Sequence, residues 1–502
     1  MRKRKIGILT FSDGRKFAHD LQYKMNKGFQ DKLVKALTAT GEVQCVAGEI
    51  IWTPELARSE AKKLAAAGVE ATILNFAIWA FPHLPAIATE FAPGPFLCLS
   101  NVNPQAPGLV AMLAAAGSLN QIGVFHGRVS GDVEDPKVLK QVMAFLRAAS
   151  AVNRLRGKTY GLFGGRSMGM YTAVPALDQW RREFGVDIEH IDQWEIVRRS
   201  ETIKQERVTR ARKWLEKHCG QVAYDGKALT PETLERQIRS YHAVRELIEE
   251  WDLDFVGIKG QPELTNSFCT MDLTEAFLND PYDWEGPHEP IVCATEADSD
   301  GALTMEIFKE IAGTPVLFAD VRHYDAEGGF WDMVNSGQHA TYFAGRSFDP
   351  KVNLPKVKLL PEIFYFPAGG AAVYHIAAPG EVTLARLTRK NGKYWMAIAP
   401  AEFLAFPEKK ALAKAQATTG EWPHAFTKLR VPPERFIATY SSNHTHGVYG
   451  DYVEELKWVC KILGMEAEVY VYSCPFVIEA TSCRHCRGPL DPDAGRRDAP
   501  GY

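Results

Sequence analysis

The amino-acid sequence predicts an α/β protein, with two successive parallel-sheet α/β domains followed by a mostly antiparallel β domain at the C-terminus. Three observations carry that reading. Through roughly the first two thirds of the chain, short apolar runs alternate with amphipathic stretches, the pattern of strands and helices wound into a parallel sheet. After about residue 335 the runs become short and turn-separated, as in EIFYFPAGG, AAVYHIA, EVTLARLT and KYWMAIA. A chain of 502 residues also exceeds what one hydrophobic core organises.

The first unit opens with KIGILTF, a strand, and a helical stretch to about Thr40. VQCVAGEII and TPELARSEAKKLAAAG give the next strand and helix, the helix starting at Thr53 with Pro54 in the first helical position. EATILNFAI, PFLCLSNV with GLVAMLAAAGS, and IGVFHG continue the alternation. A long helix near 136–153 leads into a second series: KTYGLFGG, MYTAVPALDQWRREFG, VDIEHID, two charged helices, DFVGIKGQ, PIVCATEADSDG, ALTMEIFKEIAG and PVLFADVRHYD. The expected domains are therefore 1–153, 154–334 and 335–487, the last with one helix at DYVEELKWVCKILG. Residues 488–502 have the composition of a disordered tail.

A net charge of -3 leaves no basic stripe for nucleic acid or an anionic membrane, so a small partner is expected. The nine cysteines are scattered, and Cys98 and Cys293 sit in apolar runs, which reads as reduced thiols in the cytoplasm. The basic N-terminus carries an apolar run too short for a signal-peptide core of about 7 to 15 residues. The most apolar region is broken by Asn75, Pro82, His83, Pro85 and Glu90, unlike a membrane span of about 20 apolar residues.

The stretch CATEADSDGALTME sets Glu296, Asp298 and Asp300 on alternate positions before Gly301. A calcium loop of the EF-hand type fails there: its last position falls on Ile307 while Glu306 comes one place early, and a strand-like run enters it where a helix should. The strand reading accounts for more. Glu296 is the first charged residue after PIVCAT, Asp320 holds the same place after PVLFA, and DFVGIKGQ ends in Lys259 and Gln261. Ligands of open α/β sheets bind at such carboxyl ends. Either acid alone could equally cap the next helix or turn, the role that best suits Asp298 and Asp300. In ATYSSNHTHGVYGD, Asn443, His444 and His446 also follow an apolar run. Two carboxylates and a histidine at strand ends match a hard divalent site of the Mn²⁺ or Mg²⁺ type. GLFGGRSMG has neither dinucleotide nor P-loop spacing and reads as a tight turn. Cys483, His485 and Cys486 with a distant Cys474 make too sparse a set for zinc and stay unassigned.

These stretches resemble the L-fucose isomerase group and its relatives the L-arabinose isomerases, metal-dependent enzymes that interconvert aldoses and ketoses. The matching segments run in order from KIGILTFSDGRK through LRGKTYGLFGGRSMGM, DFVGIKGQ, ATEADSDGALTM, LFADVR and FPAGG to NHTHGVYGD. The resemblance implies that Glu296 and Asp320 bind the metal and act as acid and base, with His444 as third ligand. Relative to the family pattern the segment after Asn443 and His444 is compressed, so that a second histidine falls two places on and leaves His446 a rival for that place. Asn443, Arg15, Trp79, Gln261, Tyr365 and Trp422 resemble substrate-contacting positions, with the tryptophans stacking on the sugar. The ordinary alternatives are core aromatics for Trp79 and Tyr365 and a helix-start salt bridge for Arg15. The resemblance further implies Mn²⁺ (Co²⁺ or Mg²⁺ as substitutes) and a cytoplasmic homo-oligomer, a hexamer, in which a neighbour's first domain covers a site between the second and third. L-Fucose, D-arabinose, D-galactose or a similar aldose is the expected substrate. The alternatives are L-arabinose isomerase-type specificity and a non-catalytic cytosolic sugar-binding protein.

Overall fold

The computed structural model describes residues 2–102, 104–335 and 339–472. The expected tail at 488–502 and the Cys474, Cys483, Cys486 group lie outside the described residues.

The first unit holds five parallel strands in the order Val43–Ala47, Arg4–Thr10, Ala71–Phe76, Phe96–Ser100 and His126–Ser130. Cores on both faces explain why strands such as ATILNF are apolar throughout: Phe11, Leu74 and Phe76 pack on one side, Ile6, Ile8 and Ile73 on the other. Helix Pro54–Ala67 starts as its sequence predicts, the Thr53 side chain accepting from the Leu56 N–H. It stops at Gly68, whose φ of 64° is left-handed.

The second unit is a four-stranded parallel sheet ordered Cys293–Thr295, Phe255–Ile258, Thr159–Phe163, Asp187–Ile191. From its edge strand the chain passes into helix Ser299–Ala312, which packs against the second sheet, helix Pro136–Leu155 and three strands of the C-terminal region. Leu303, Met305, Ile307 and Phe308 on this helix are fully buried, so even its polar positions face protein.

The C-terminal region is a sheet ordered Gly380–Lys390, His444–Tyr449, Leu317–Asp325, Phe330–Val334, His424–Leu429, Lys393–Phe403, with Glu466–Val469 added in parallel. Its two long strands, Gly380–Lys390 and Lys393–Phe403, also pair with each other, which closes the antiparallel part into a six-stranded barrel without free edges.

Strand pairing crosses the expected boundary at residue 334. Leu317–Asp325 follows a helix, as the next strand of a parallel sheet would, yet it pairs antiparallel with His444–Tyr449 and Phe330–Val334. Asp320 therefore belongs to the barrel and not to the second α/β unit. Conversely, Leu354, Val357, Leu359, Ala371 and Val373, placed in the third domain by sequence, pack into the core of the second. The two units interleave along the chain.

Polar contacts tie the first unit to the rest. Arg4 is fully buried, donates to Glu42 and caps the helix carbonyls of Glu310 and Ile311. Arg147 bridges Glu42 and Glu455. Helix Ser299–Ala312 is the shared element, so Leu303→Ala should cost about 2–5 kcal/mol of stability, read by urea denaturation.

Candidate functional site

Two strands of the second sheet deliver the first residues. Thr295 and Ile258 are register partners at the carboxyl ends of adjacent parallel strands, and Glu296 and Gln261 follow them, joined by a Gln261 Nε2 to Glu296 Oε1 hydrogen bond of 3.2 Å. The chain leaves the strand through two successive left-handed residues, Glu296 at φ 57° and Ala297 at φ 50°. Non-glycine residues pay for that conformation in steric strain, and such strain gathers at functional sites. The turn is held by the Ala297 N–H on Ile258 O and the Asp298 N–H on Thr295 O.

The barrel delivers the others. Asp320 and His444 are direct cross-strand partners. Glu296 and Asp320 thus meet from two different sheets, not as neighbours in one. His444 Nε2 lies 3.2 Å from Glu296 Oε2 and 3.4 Å from Asp320 Oδ1. That nitrogen is buried and makes no well-directed hydrogen bond to either acid. On the far side, His444 Nδ1 is 2.6 Å from Asp298 Oδ2. His446 faces the same way along its strand but pairs with Phe318 where His444 pairs with Asp320, and its Nε2 meets Arg386 at 3.1 Å. The structure brings His444, and not His446, to the two carboxylates.

Charge follows position. Burial pushes the Asp320 carboxyl up to about 6, against the pull of His444 and with Glu296 adding to the rise. Burial alone would lower the His444 imidazole, but the hydrogen bond from Nδ1 to Asp298 and the charges of the nearby acids raise it to about 10. Asp298 is buried too, yet Arg386 and His444 hold it well below the usual carboxylate range. Burial and Arg386 lower His446 well below the ordinary imidazole value. The His444 imidazolium is thus the cation between Glu296 and Asp320. As the side chains stand, no three acid, histidine or cysteine groups among the described residues are arranged to hold a metal ion. Release of the Nε2 proton and a turn of the carboxylates would free one nitrogen and two oxygen donors, a set suited to a hard or borderline divalent cation.

Glu296 and Asp320 open onto a cavity of about 340 Å³ lined also by Met168, Gln261, Arg322, Tyr365, Phe366 and Trp422. Asn443 stands beside it, its amide 3.5 Å from Asp320 Oδ1. Tyr365 is 60% exposed, which rules out the core-aromatic reading for it. Trp422 lines the cavity from a buried position. It donates from Nε1 to Glu362 at 3.2 Å, stacks on Phe366, and has the Arg322 guanidinium 4.7 Å above its ring. A face expected to meet sugar therefore carries Arg322. Sequence reasoning missed this residue, which a bulge between Val321 and His323 turns into the same cavity as Asp320. It missed Asp298 as well: the aspartate does cap helix Ser299–Ala312, but it also grips Arg386 and His444. Arg15 and Trp79 are not among the residues lining the cavity. They follow adjacent strands at one end of the first sheet, and Arg15 forms an ion pair with Asp13.

Comparison with known families identifies the chain's relatives. The chain matches the L-fucose isomerase first N-terminal domain over residues 3–157, the second N-terminal domain over 251–313 and the C-terminal domain over 333–470. The chain belongs to the L-fucose isomerase family. Curated relatives include the L-fucose isomerase of Vibrio vulnificus, 25% identical over 418 residues, 68% of this chain and 71% of that protein. That of Bacteroides thetaiotaomicron is 26% identical over 420 residues, 70% of this chain and 69% of that one. The Haemophilus influenzae L-fucose isomerase is 28% identical over 292 residues, about half of each chain at 49%. Membership in the L-fucose isomerase family makes the chain an isomerase of carbohydrate metabolism and sets aside the non-catalytic binding protein. No helix among the described residues is long and apolar enough to cross a membrane.

The strained turn makes a test. A Cβ on Gly257, in the strand beside it, would stand 2.1 Å from the Tyr160 hydroxyl and 3.2 Å from Ala297 Cα. Gly257→Ala should lose about 1–3 kcal/mol in urea denaturation through overpacking and should lower isomerase turnover by displacing Glu296.

Proposed function

We propose that this protein is a metal-dependent aldose–ketose isomerase that converts a free monosaccharide through an enediol, with L-fucose, D-arabinose, D-galactose or a similar aldose as substrate. The observation that carries the reading is the buried His444 Nε2, without a good hydrogen bond, between Glu296 and Asp320. Glu296, Asp320 and His444 would hold Mn²⁺, or Co²⁺ or Mg²⁺ in its place. A cation there, where the imidazolium now balances two acids, would supply Lewis-acid stabilisation of charge developing on the sugar oxygens.

The proton steps fall to the chain's own groups. Glu296 takes the proton from C2, the C–H electron pair becomes the C1–C2 double bond, and Asp320 gives its carboxyl proton to O1. In the second half Glu296 returns a proton to C1 while Asp320 takes the one on O2, leaving the carbonyl at C2. The raised Asp320 carboxyl suits a group that holds and hands over a proton near neutrality. Gln261 and Asn443 orient the two acids, and Tyr365 and Arg322 meet the sugar hydroxyls, with Trp422 as the floor beneath Arg322. Arg15 and Trp79 would act from a neighbouring subunit's first domain in a homo-oligomer, a hexamer, closing a cavity that is open in one chain.

Chelator-treated protein incubated with L-fucose, D-arabinose and D-galactose in D₂O, with and without Mn²⁺, tests the reading by proton NMR. Ketose carrying deuterium at C1, formed only with Mn²⁺, is expected. Glu296→Gln and Asp320→Asn should each slow turnover about 10²- to 10⁴-fold with the fold retained. Ketose that keeps only protium at C1, or equal rates after metal removal, would contradict it.

A further inference from the structure

Asp298 does not line the cavity, yet it touches three groups that must all donate to it. Its Oδ1 accepts from the Gly301 N–H at 3.0 Å and from Arg386 Nη2 at 2.9 Å. Its Oδ2 accepts from Arg386 Nη1 and lies 2.6 Å from His444 Nδ1. Asp298, Arg386 and His444 are all buried. Arg386 is fixed in turn, since Nη2 also donates to the Thr172 carbonyl at 2.9 Å. It reaches Asp298 only because residue 301 is glycine: a Cβ there would stand 2.7 Å from both Nη1 and Asp298 Oδ2. A backbone N–H and a guanidinium cannot turn into acceptors. Of the groups around Asp298, only the imidazole can exist without a proton at the contacting atom.

We propose that Asp298 is a positioning residue that keeps the proton of His444 on Nδ1 and thereby leaves Nε2, the atom facing Glu296 and Asp320, free to act as a ligand. This rests on the metal-dependent reading above and extends it to a residue outside the cavity.

An asparagine at position 298 shows the logic. Its single carbonyl oxygen is drawn to the Oδ1 place, where two donors that cannot change point at it. The amide NH₂ is then left at the Oδ2 place, beside Arg386 Nη1, which can only donate, and facing His444 Nδ1. The imidazole can answer only by accepting at Nδ1 and carrying its proton on Nε2, toward the two acids. An aspartate-to-asparagine change beside a catalytic histidine imposes the wrong tautomer in the same manner, and partners of ligating histidines set both tautomer and metal affinity.

The test uses protein labelled with ¹⁵N in its histidine rings and loaded with Mg²⁺, read by long-range proton–nitrogen correlation. His444, assigned by its loss in His444→Gln, should carry its proton on Nδ1. In Asp298→Asn the proton should move to Nε2, and Mn²⁺ affinity, from the EPR signal of free ion, should fall about 10- to 100-fold with near-UV circular dichroism unchanged. A wild-type His444 protonated at Nε2, or an Asp298→Asn protein with unchanged Mn²⁺ affinity, overturns the proposal. If the variant does not fold, the wild-type spectrum decides alone. If the wild-type protein binds neither Mn²⁺ nor Mg²⁺, the metal reading falls. The metal-free spectrum then still judges Asp298: a downfield, slowly exchanging Nδ1 proton on His444 supports its role, and the absence of one overturns it.

Discussion

The buried contact of Asp298 with Arg386 and His444 is the joint on which the site depends. Asp298 caps a helix of the second α/β unit, whereas Arg386 and His444 belong to the barrel. The same carboxylate thus fastens two folding units and aims the imidazole that stands between Glu296 and Asp320. Burying an aspartate, an arginine and a histidine together carries a desolvation cost of several kcal/mol per ion. It is offset here because Asp298 accepts from the Gly301 N–H and two guanidinium nitrogens as well as the imidazole, which leaves no side of the carboxylate unsatisfied. Hydrophobic burial of Leu303, Met305, Ile307 and Phe308 along the same helix then sets the distance between sheet and barrel.

The remainder of the cavity follows from that junction. The second sheet ends in Glu296 and Gln261, the barrel contributes Asp320, and the bulge beyond it adds Arg322. The acids come from separate sheets, so neither can drift without repacking a whole layer. The left-handed turn at Glu296 and Ala297 is tolerated because hydrogen bonds on either side of it fix the backbone. Such a frame holds charged groups at short range before substrate arrives, which is what electrostatic catalysis requires.

Much of the α/β part was legible because a parallel strand buried on both faces reads as an unbroken apolar run, and its helices carry visible caps, such as Thr53 with Pro54. Strand pairing in the barrel was not, because period-2 patterning tells which face is apolar and not which strand lies alongside. Hence Leu317–Asp325 looked like one more parallel strand. Glu296, Asp320 and His444 stood out as polar residues ending apolar runs, aided by the family resemblance. The choice between His444 and His446 could not be made from sequence: residues two apart share a strand face, and only the facing residues, Asp320 and Phe318, separate them. Asp298 was hidden because a helix cap and a buried ion partner present the same letter. Arg322 was hidden because a bulge leaves no mark in the hydrophobic pattern.

The central claim is that His444 completes a cation site with Glu296 and Asp320. Pulsed EPR of Mn²⁺ added to the wild-type protein tests it most directly, through the modulation that a coordinated imidazole nitrogen impresses on the electron-spin echo. The account predicts coupling to a single imidazole, lost in His444→Gln and kept in His446→Gln. Nitrogen coupling that survives in His444→Gln, or that disappears only in His446→Gln, would contradict it.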